Sequence, residues 1–229
     1  MLVFVLCVCS LPLAADTAVL FSDLGPPGGY VYDAVIGWAV AGSGSNVLSR
    51  SSTVANLFAV AGSGSLSVSE IDLAVGNVTP YANTFFATIW TDSTGLPGIQ
   101  VADAYWSTST SATFGTCCGL VSLTDITGVN LTGGDQYFMI LGPLSVSDTS
   151  FNGWNDNNQG ATGLDLYSRN GGSTWVSNGT VTIGAFDVLS GTPEPTSFSL
   201  MLLETLAIAI AARKRLSKIP SGKSVTDRR

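Results

Sequence analysis

The sequence contains no histidine, and positive charge is nearly missing from most of its length. Without histidine, a Ser-His-Asp or Cys-His hydrolase is excluded, because both need an imidazole base. Residues 16–190 carry twelve Asp and one Glu, but their only cations are Arg50 and Arg169. Nucleic-acid binding needs clustered Lys and Arg to neutralise phosphates, so we do not expect it here. The excess of carboxylates predicts a soluble, acidic surface.

Cysteine is also scarce, with four residues in the chain. Cys7 and Cys9 lie in the apolar N-terminal stretch, which leaves Cys117 and Cys118 for the remainder. Adjacent cysteines can close only a strained eight-membered ring, which would stiffen a loop without cross-linking the fold. The pair is therefore either a vicinal disulfide or two free thiols, with intermolecular cross-linking or metal binding as further alternatives. No second cysteine pair with zinc spacing is present, so a structural zinc is not expected.

Long apolar runs are limited to the two ends of the chain. The N-terminal stretch "MLVFVLCVCSLPLAA" has the length of a signal-peptide core, and Ala14-Ala15 resemble a cleavage region. Residues 1–15 are therefore predicted to be a signal peptide, and the chain is predicted to be exported. Near the other end, residues 198–212 are mostly apolar but are shorter than the roughly 20 residues of a membrane helix. Glu204 lies within this run, so the segment would be a poor permanent anchor.

The order of motifs around this second run is informative. Pro193-Glu194-Pro195 precedes it, and the basic cluster Arg213-Lys214-Arg215 follows it. This three-part order resembles the PEP-CTERM sorting signal of Gram-negative bacteria, many of which make exopolysaccharide. The resemblance implies transient insertion into the inner membrane and removal of the tail by an exosortase near the Pro-Glu-Pro motif. Residues 192–215 are then the sorting segment, and 216–229 form a polar tail.

Residues 16–191 between these ends are predicted to be all-β, with a β-sandwich or jelly-roll architecture. "NTFFATIW" alternates Phe85, Ala87 and Ile89 with side chains on the other face, and "DQYFMILG" is a further apolar run of strand length. The apolar alternation changes phase near Ser69-Glu70, which predicts a bulge or bend there. "LDLYSRNGGSTWVS" predicts a hairpin that turns at residues 170–172.

Three stretches of this body resemble the secreted choice-of-anchor domains that precede PEP-CTERM and other sorting tails. They are "LSVSEIDLAVGNV" (66–78), "ATIWTDSTGLPG" (87–98) and "NGGSTW" (170–175). The resemblance extends over about residues 56–189. It implies a β-sandwich and supplies no catalytic site.

Tryptophan supplies the candidate ligand-binding residues. Flat aromatic faces can stack on pyranose rings, and neighbouring amides and carboxylates can bond sugar hydroxyls. Trp154, next to Asn155 and Asp156, is the first candidate for a sugar site, and Trp175 is the second. The alternative is that these rings are core residues of β-strands.

Oxygen-bearing side chains in "FNGWNDNNQGATGLD" also make a calcium site conceivable, with Asp156, Asn158 and Asp165 as ligands. Their spacing matches no calcium loop, and turn formation explains the composition equally well. No cofactor other than calcium is expected.

Together these patterns predict a non-catalytic protein of a Gram-negative cell surface or extracellular matrix, with a structural or adhesive β domain. Its partners would be the exosortase-type machinery and exopolysaccharide. The alternative from the binding class is a carbohydrate-binding module of the same matrix. A carboxylate-dependent glycosidase is a weaker alternative, because Glu70 lies in a plain strand pattern and the Asp residues are scattered.

Overall fold

A six-stranded antiparallel sheet is the largest element of the computed structural model, which describes residues 17–26 and 29–191. Its strand order is β14 (Val176–Thr182), β13 (Thr162–Ser168), β3 (Thr53–Ala59), β11 (Gln136–Gly142), β7 (Thr84–Asp92) and β8 (Pro97–Ser109). Residues Thr17–Gly191 form one unit.

Three smaller sheets accompany it. A four-stranded sheet has the order β1 (Thr17–Ser22), β15 (Phe186–Gly191), β5 (Glu70–Leu73) and β9 (Val121–Leu123). A three-stranded sheet has the order β2 (Gly37–Ala41), β12 (Phe151–Asn155) and β6 (Val75–Asn77). The last sheet pairs β10 (Asn130–Gly133) with β4 (Gly64–Ser67). The described residues are therefore all-β, apart from one 3-10 turn at Ser43–Ser45.

The main core draws residues from all four sheets. Alternation along β7 turns Phe85, Ala87 and Ile89 into this core, as the sequence pattern predicts, and all three are completely buried. In the neighbouring strand β11, Tyr137, Met139 and Leu141 point the same way. Apolar residues of the other sheets complete this layer, among them Leu20, Val40, Ile71, Leu73, Val75, Leu131, Trp154, Phe186 and Val188. A layer of this kind between antiparallel sheets is consistent with a β-sandwich.

The predicted bend near Ser69-Glu70 is confirmed, and it moves the chain from one sheet to another. Strand β4 ends at Ser67 and pairs with β10, whereas β5 begins at Glu70 and pairs with β15 and β9. At the bend, the Ser69 N–H donates to the Leu189 carbonyl oxygen over 2.9 Å. The change of apolar phase thus marks a change of sheet.

The predicted hairpin at residues 170–172 is also confirmed. Strands β13 and β14 pair in antiparallel fashion on either side of it. Gly171 and Gly172 have φ of 67° and 89°, a left-handed conformation that glycine adopts without a steric penalty.

The predicted signal peptide (1–15) and the sorting segment (192–215) lie outside the described residues. In the described part of the chain, no helix is long and apolar enough to cross a membrane.

Candidate functional site

The six-stranded sheet has a second apolar face, directed away from the main core. Ala55, Phe138, Ile140 and Leu166 are buried there. Five half-buried side chains surround them, namely Leu57, Phe86, Trp90, Leu164 and Trp175. This outer face follows from the sequence, since the positions of β7 and β11 that point away from the core are mostly apolar or aromatic.

A small hollow opens on this outer face, with a volume of about 60 Å³. Aromatic and apolar side chains form most of its wall, together with two threonines and the two glycines of the hairpin turn. Its lining residues are Thr53, Phe86, Thr88, Trp90, Ile140, Gly171, Gly172 and Trp175. We call this feature the outer-face hollow.

Two polar atoms at the outer-face hollow are buried without a hydrogen-bond partner. One is the indole Nε1 of Trp90, which can only donate, and the other is the hydroxyl Oγ1 of Thr53, which can donate and accept. Thr53 as a whole is buried, at 1% exposure. A buried polar atom without a partner typically costs about 1–3 kcal/mol. Thr53 and Trp90 both line the hollow, so a ligand bound there would lie beside these two residues.

The third polar residue of the wall is already satisfied. The Thr88 hydroxyl donates to the Ala104 carbonyl oxygen over 2.6 Å, across the β7–β8 pair. The Trp90 N–H and the Thr53 hydroxyl are thus the buried side-chain polar groups of the lining that have no partner.

The hairpin turn forms one side of the hollow. The Ser168 hydroxyl accepts from the N–H of Gly172 over 2.8 Å, and Asn170 Oδ1 accepts from the Thr174 N–H over 2.9 Å. A Cβ at Gly172 would lie 3.4 Å from Cζ2 of Trp175, so the backbone passes close to the indole ring. The turn thereby holds Trp175 against the outer face.

Aromatic surface extends from the hollow toward β8. The Tyr105 ring stacks on Phe86, with centroids 5.4 Å apart and planes inclined by 22°. Tyr105 is 48% exposed. Trp175, Trp90, Phe86 and Tyr105 thus provide aromatic faces along one side of the sheet.

The structure places the first predicted sugar-binding residue elsewhere. Trp154 is completely buried in the main core, and its Nε1 donates to the Ala185 carbonyl oxygen over 3.2 Å. The sequence-based expectation of sugar stacking by Trp154 needs correction, because a ring in this position has no face open to a sugar. Its core role is the alternative that the sequence left open.

The neighbours of Trp154 are also turned inward. Asn155 is 1% exposed, and its amide donates to the Ala74 carbonyl oxygen over 3.0 Å. Asp156 is 9% exposed. Trp175 is the predicted sugar-binding residue that reaches the outer-face hollow, where it is half-buried.

The three oxygen-bearing residues considered for calcium have different environments. Asp165 is completely buried and accepts from the amides of Asn56 (2.6 Å) and Asn178 (2.5 Å). Asn158 is exposed and donates to the Tyr30 carbonyl oxygen. Burial, together with the charges of Asp33 and Asp165, raises the pKa of Asp156 to about 7. Within residues 17–26 and 29–191, no group of three or more Asp, Glu or Cys side chains is arranged to hold a metal ion.

The sulfur atoms of Cys117 and Cys118 lie next to each other on an exposed loop, a placement compatible with the vicinal disulfide that the sequence left as one alternative. The buried Tyr32 hydroxyl supports this loop by donating to the Gly119 carbonyl oxygen over 3.1 Å. The predicted sorting residues lie outside the described part of the chain.

Sequence reasoning missed Trp90 and Thr53 as site residues. A signal was present, because "NTFFATIW" places Phe86, Thr88 and Trp90 together on the face opposite the core residues. The contribution of Thr53 depends on the pairing of β3 with β11 and β13, which one strand's sequence does not reveal.

Comparison of the chain with protein-family models produced no match, and comparison with curated proteins produced none either.

Proposed function

We propose that this protein is an exported, non-catalytic component of a bacterial cell surface or extracellular matrix, and that its β domain binds saccharide through the outer-face hollow. In this proposal the β domain is a sandwich of the jelly-roll type. The PEP-CTERM-like tail directs sorting by an exosortase, with transient inner-membrane anchoring. The polymer that the domain contacts is exopolysaccharide.

The observation that carries saccharide binding is the pair of unpartnered polar atoms within an aromatic wall. A sugar ring has apolar C–H faces that can lie on Trp175 and Trp90, and hydroxyl groups that both donate and accept. At about 60 Å³ the hollow is too small to enclose a ring. It can accept one substituent, such as a hydroxymethyl group, whose oxygen would accept from Trp90 Nε1 and bond the Thr53 hydroxyl.

Glycoside hydrolysis typically uses a pair of Asp or Glu side chains. None of the described residues that line the hollow is an Asp or a Glu, so the lining favours binding over hydrolysis. Glu70 does not line the hollow. It begins β5 and pairs with Leu189 of β15. The glycosidase alternative therefore gains no support from the candidate site.

Saccharide binding is tested by affinity electrophoresis of the full chain in gels containing soluble neutral or acidic bacterial polysaccharides. We expect Trp175→Ala to abolish retardation, because it removes the stacking face. Trp90→Phe keeps an aromatic ring but removes the unpartnered N–H. It should weaken retardation while leaving the free energy of unfolding unchanged or slightly higher.

Tyr30→Ala is the matched control, since Tyr30 is 77% exposed and lies away from the hollow. Its retardation should equal that of the parent protein. Equal retardation of the Trp175→Ala and parent proteins in every polysaccharide would refute the binding proposal.

Sorting is tested separately, by mass spectrometry of the C-terminus in membrane and extracellular fractions. We expect extracellular protein to end near Pro193-Glu194-Pro195 and membrane protein to retain Arg213-Lys214-Arg215. Recovery of intact Arg229 in the extracellular fraction would contradict processing, without bearing on saccharide binding.

A further inference from the structure

Arg50 and Arg169 are the only cations of residues 17–26 and 29–191, and they lie near each other. Register places Thr53 of β3 opposite Ser168 of β13, so Arg50 shortly precedes one strand and Arg169 directly follows the other. The Ser51 hydroxyl donates to the Arg169 carbonyl oxygen over 2.7 Å and joins the two segments. The same residues contain twelve carboxylates, so two neighbouring arginines are an unexpected pairing.

The guanidinium of Arg169 is held in place by an aromatic ring. Its Cζ lies 4.7 Å from the centroid of the Tyr167 ring, within the range of a cation–π contact. The Nε of Arg169 is buried and has no hydrogen-bond partner. Stacking uses the flat face of a guanidinium and leaves its N–H groups free to donate.

The electrostatic surroundings of Arg169 show no compensating carboxylate among the described residues. Burial lowers its pKa, the charge of Arg50 lowers it further, and Tyr167 acts in the opposite direction. Two like charges in proximity destabilise the fold, and an anion between them would reverse that effect.

We propose that Arg50 and Arg169 form a binding site for an oxyanion of a ligand, namely a carboxylate, sulfate or phosphate group. Arg169 is the pre-positioned member, because stacking on Tyr167 fixes the plane of its guanidinium. A guanidinium offers two parallel N–H donors that match a carboxylate or a tetrahedral oxyanion. Arg50 is exposed and supplies the second charge from the solvent side.

This site is distinct from the outer-face hollow. Tyr167 pairs with Val54, a residue of the main core, whereas Thr53 lines the hollow. Because side chains alternate along a strand, Tyr167 and the guanidinium above it belong to the opposite side of the sheet. Loss of one site should therefore leave the other intact.

The test is a titration of the full-length protein, labelled with ¹⁵N, in which the arginine Nε–H signals are followed by NMR. The probes are sodium sulfate, sodium phosphate and sodium D-glucuronate, with D-glucose as the uncharged match for glucuronate. We expect saturable shifts of two arginine signals with the anions and none with glucose. Arg169→Gln should raise the apparent Kd by roughly tenfold or more. Arg169→Lys should raise it by less, since Lys keeps the positive charge but lacks the two parallel N–H donors of the guanidinium.

Lys223→Gln is the control for overall charge, because it removes one cation from the C-terminal part of the sequence. It should titrate like the parent protein. Near-UV circular dichroism and the thermal unfolding midpoint establish that the Arg169 variants are folded.

A response to one anion alone supports the site and identifies its chemistry. The proposal is overturned if no anion gives a saturable shift, if a folded Arg169→Gln protein titrates like the parent, or if glucose reproduces the effect of glucuronate. None of these results bears on the role of Trp175, so failure here is separable from failure of the proposed saccharide site.

Discussion

The amide of Asn56 donates a 2.6 Å hydrogen bond to the carboxylate of Asp165, directly across the β3–β13 pair, where both side chains are completely buried. The other oxygen of Asp165 accepts from Asn178 over 2.5 Å. Asn56 in turn accepts from the Gly184 N–H over 2.8 Å. Even with two amide donors, burial dominates and raises the pKa of Asp165 to about 6.

Asp165 is one of three buried carboxyls that should make the protein less stable as the pH rises. Burial also raises the pKa of Asp23 to about 8 and that of Asp156 to about 7. An unfolded Asp titrates near 3.9, so between about pH 4 and pH 8 the folded state binds more protons than the unfolded state. We expect the thermal unfolding midpoint to fall by several degrees from about pH 4.5 to about pH 8.5. A midpoint that rose over this range would contradict the prediction.

Asp165→Asn should reduce this pH dependence. At pH 8 the parent carboxylate is ionised and buried, whereas the amide that replaces it is neutral at every pH. The carbonyl oxygen of that amide can still accept from Asn56, and the exposed Asn178 amide can rotate to accept from the new NH₂ group. We expect the variant to unfold at a higher temperature than the parent at pH 8.5 and at a similar temperature at pH 4.5. Calorimetry at both pH values checks this, and lower stability at both would show that the amide rotation does not occur.

The contrast between Trp154 and Trp90 shows how far sequence could predict the site. The alternation of apolar side chains predicts which positions of β7 and β11 face the core, because one face of each strand packs in the main core. Which tryptophan is open to a ligand depends on what covers it. Trp154 lies within the main core, where its ring packs against Phe186 of β15. Trp90 and Trp175 reach the outer-face hollow only through the pairing of β7, β11, β3 and β13. Polar neighbours in sequence suggested exposure for Trp154, but Asn155 and Asp156 are themselves buried.

Trp154 should therefore matter for stability. A Cβ at Gly184 would lie 2.4 Å from Cδ2 of Trp154, so the ring fills the space against that backbone. Trp154→Ala should cost about 3–5 kcal/mol in the free energy of unfolding, and Gly184→Ala about 1–3 kcal/mol through overpacking. Urea denaturation measures both. Gly29→Ala is the control, because its nearest neighbour lies at 3.7 Å, and its stability should be close to that of the parent.

A disulfide between Cys117 and Cys118 should contribute little to stability. A cross-link restricts the unfolded chain in proportion to the logarithm of the loop it closes, and here the partners are adjacent in sequence. The double variant Cys117→Ser, Cys118→Ser should unfold within a degree or two of the parent protein. Mass spectrometry after alkylation, with and without reductant, establishes whether the bond is present in the purified protein.

Tyr32 provides the comparison for this loop, since its hydroxyl donates to the Gly119 carbonyl oxygen from a buried position. Tyr32→Phe should cost about 0.5–1.5 kcal/mol, which is more than the cost of removing both sulfurs. This ranking follows because the tyrosine joins segments that are distant in sequence, whereas the disulfide joins neighbours. A double cysteine variant less stable than Tyr32→Phe would contradict it and would assign the disulfide a larger role in holding residues 116–119 against Tyr32.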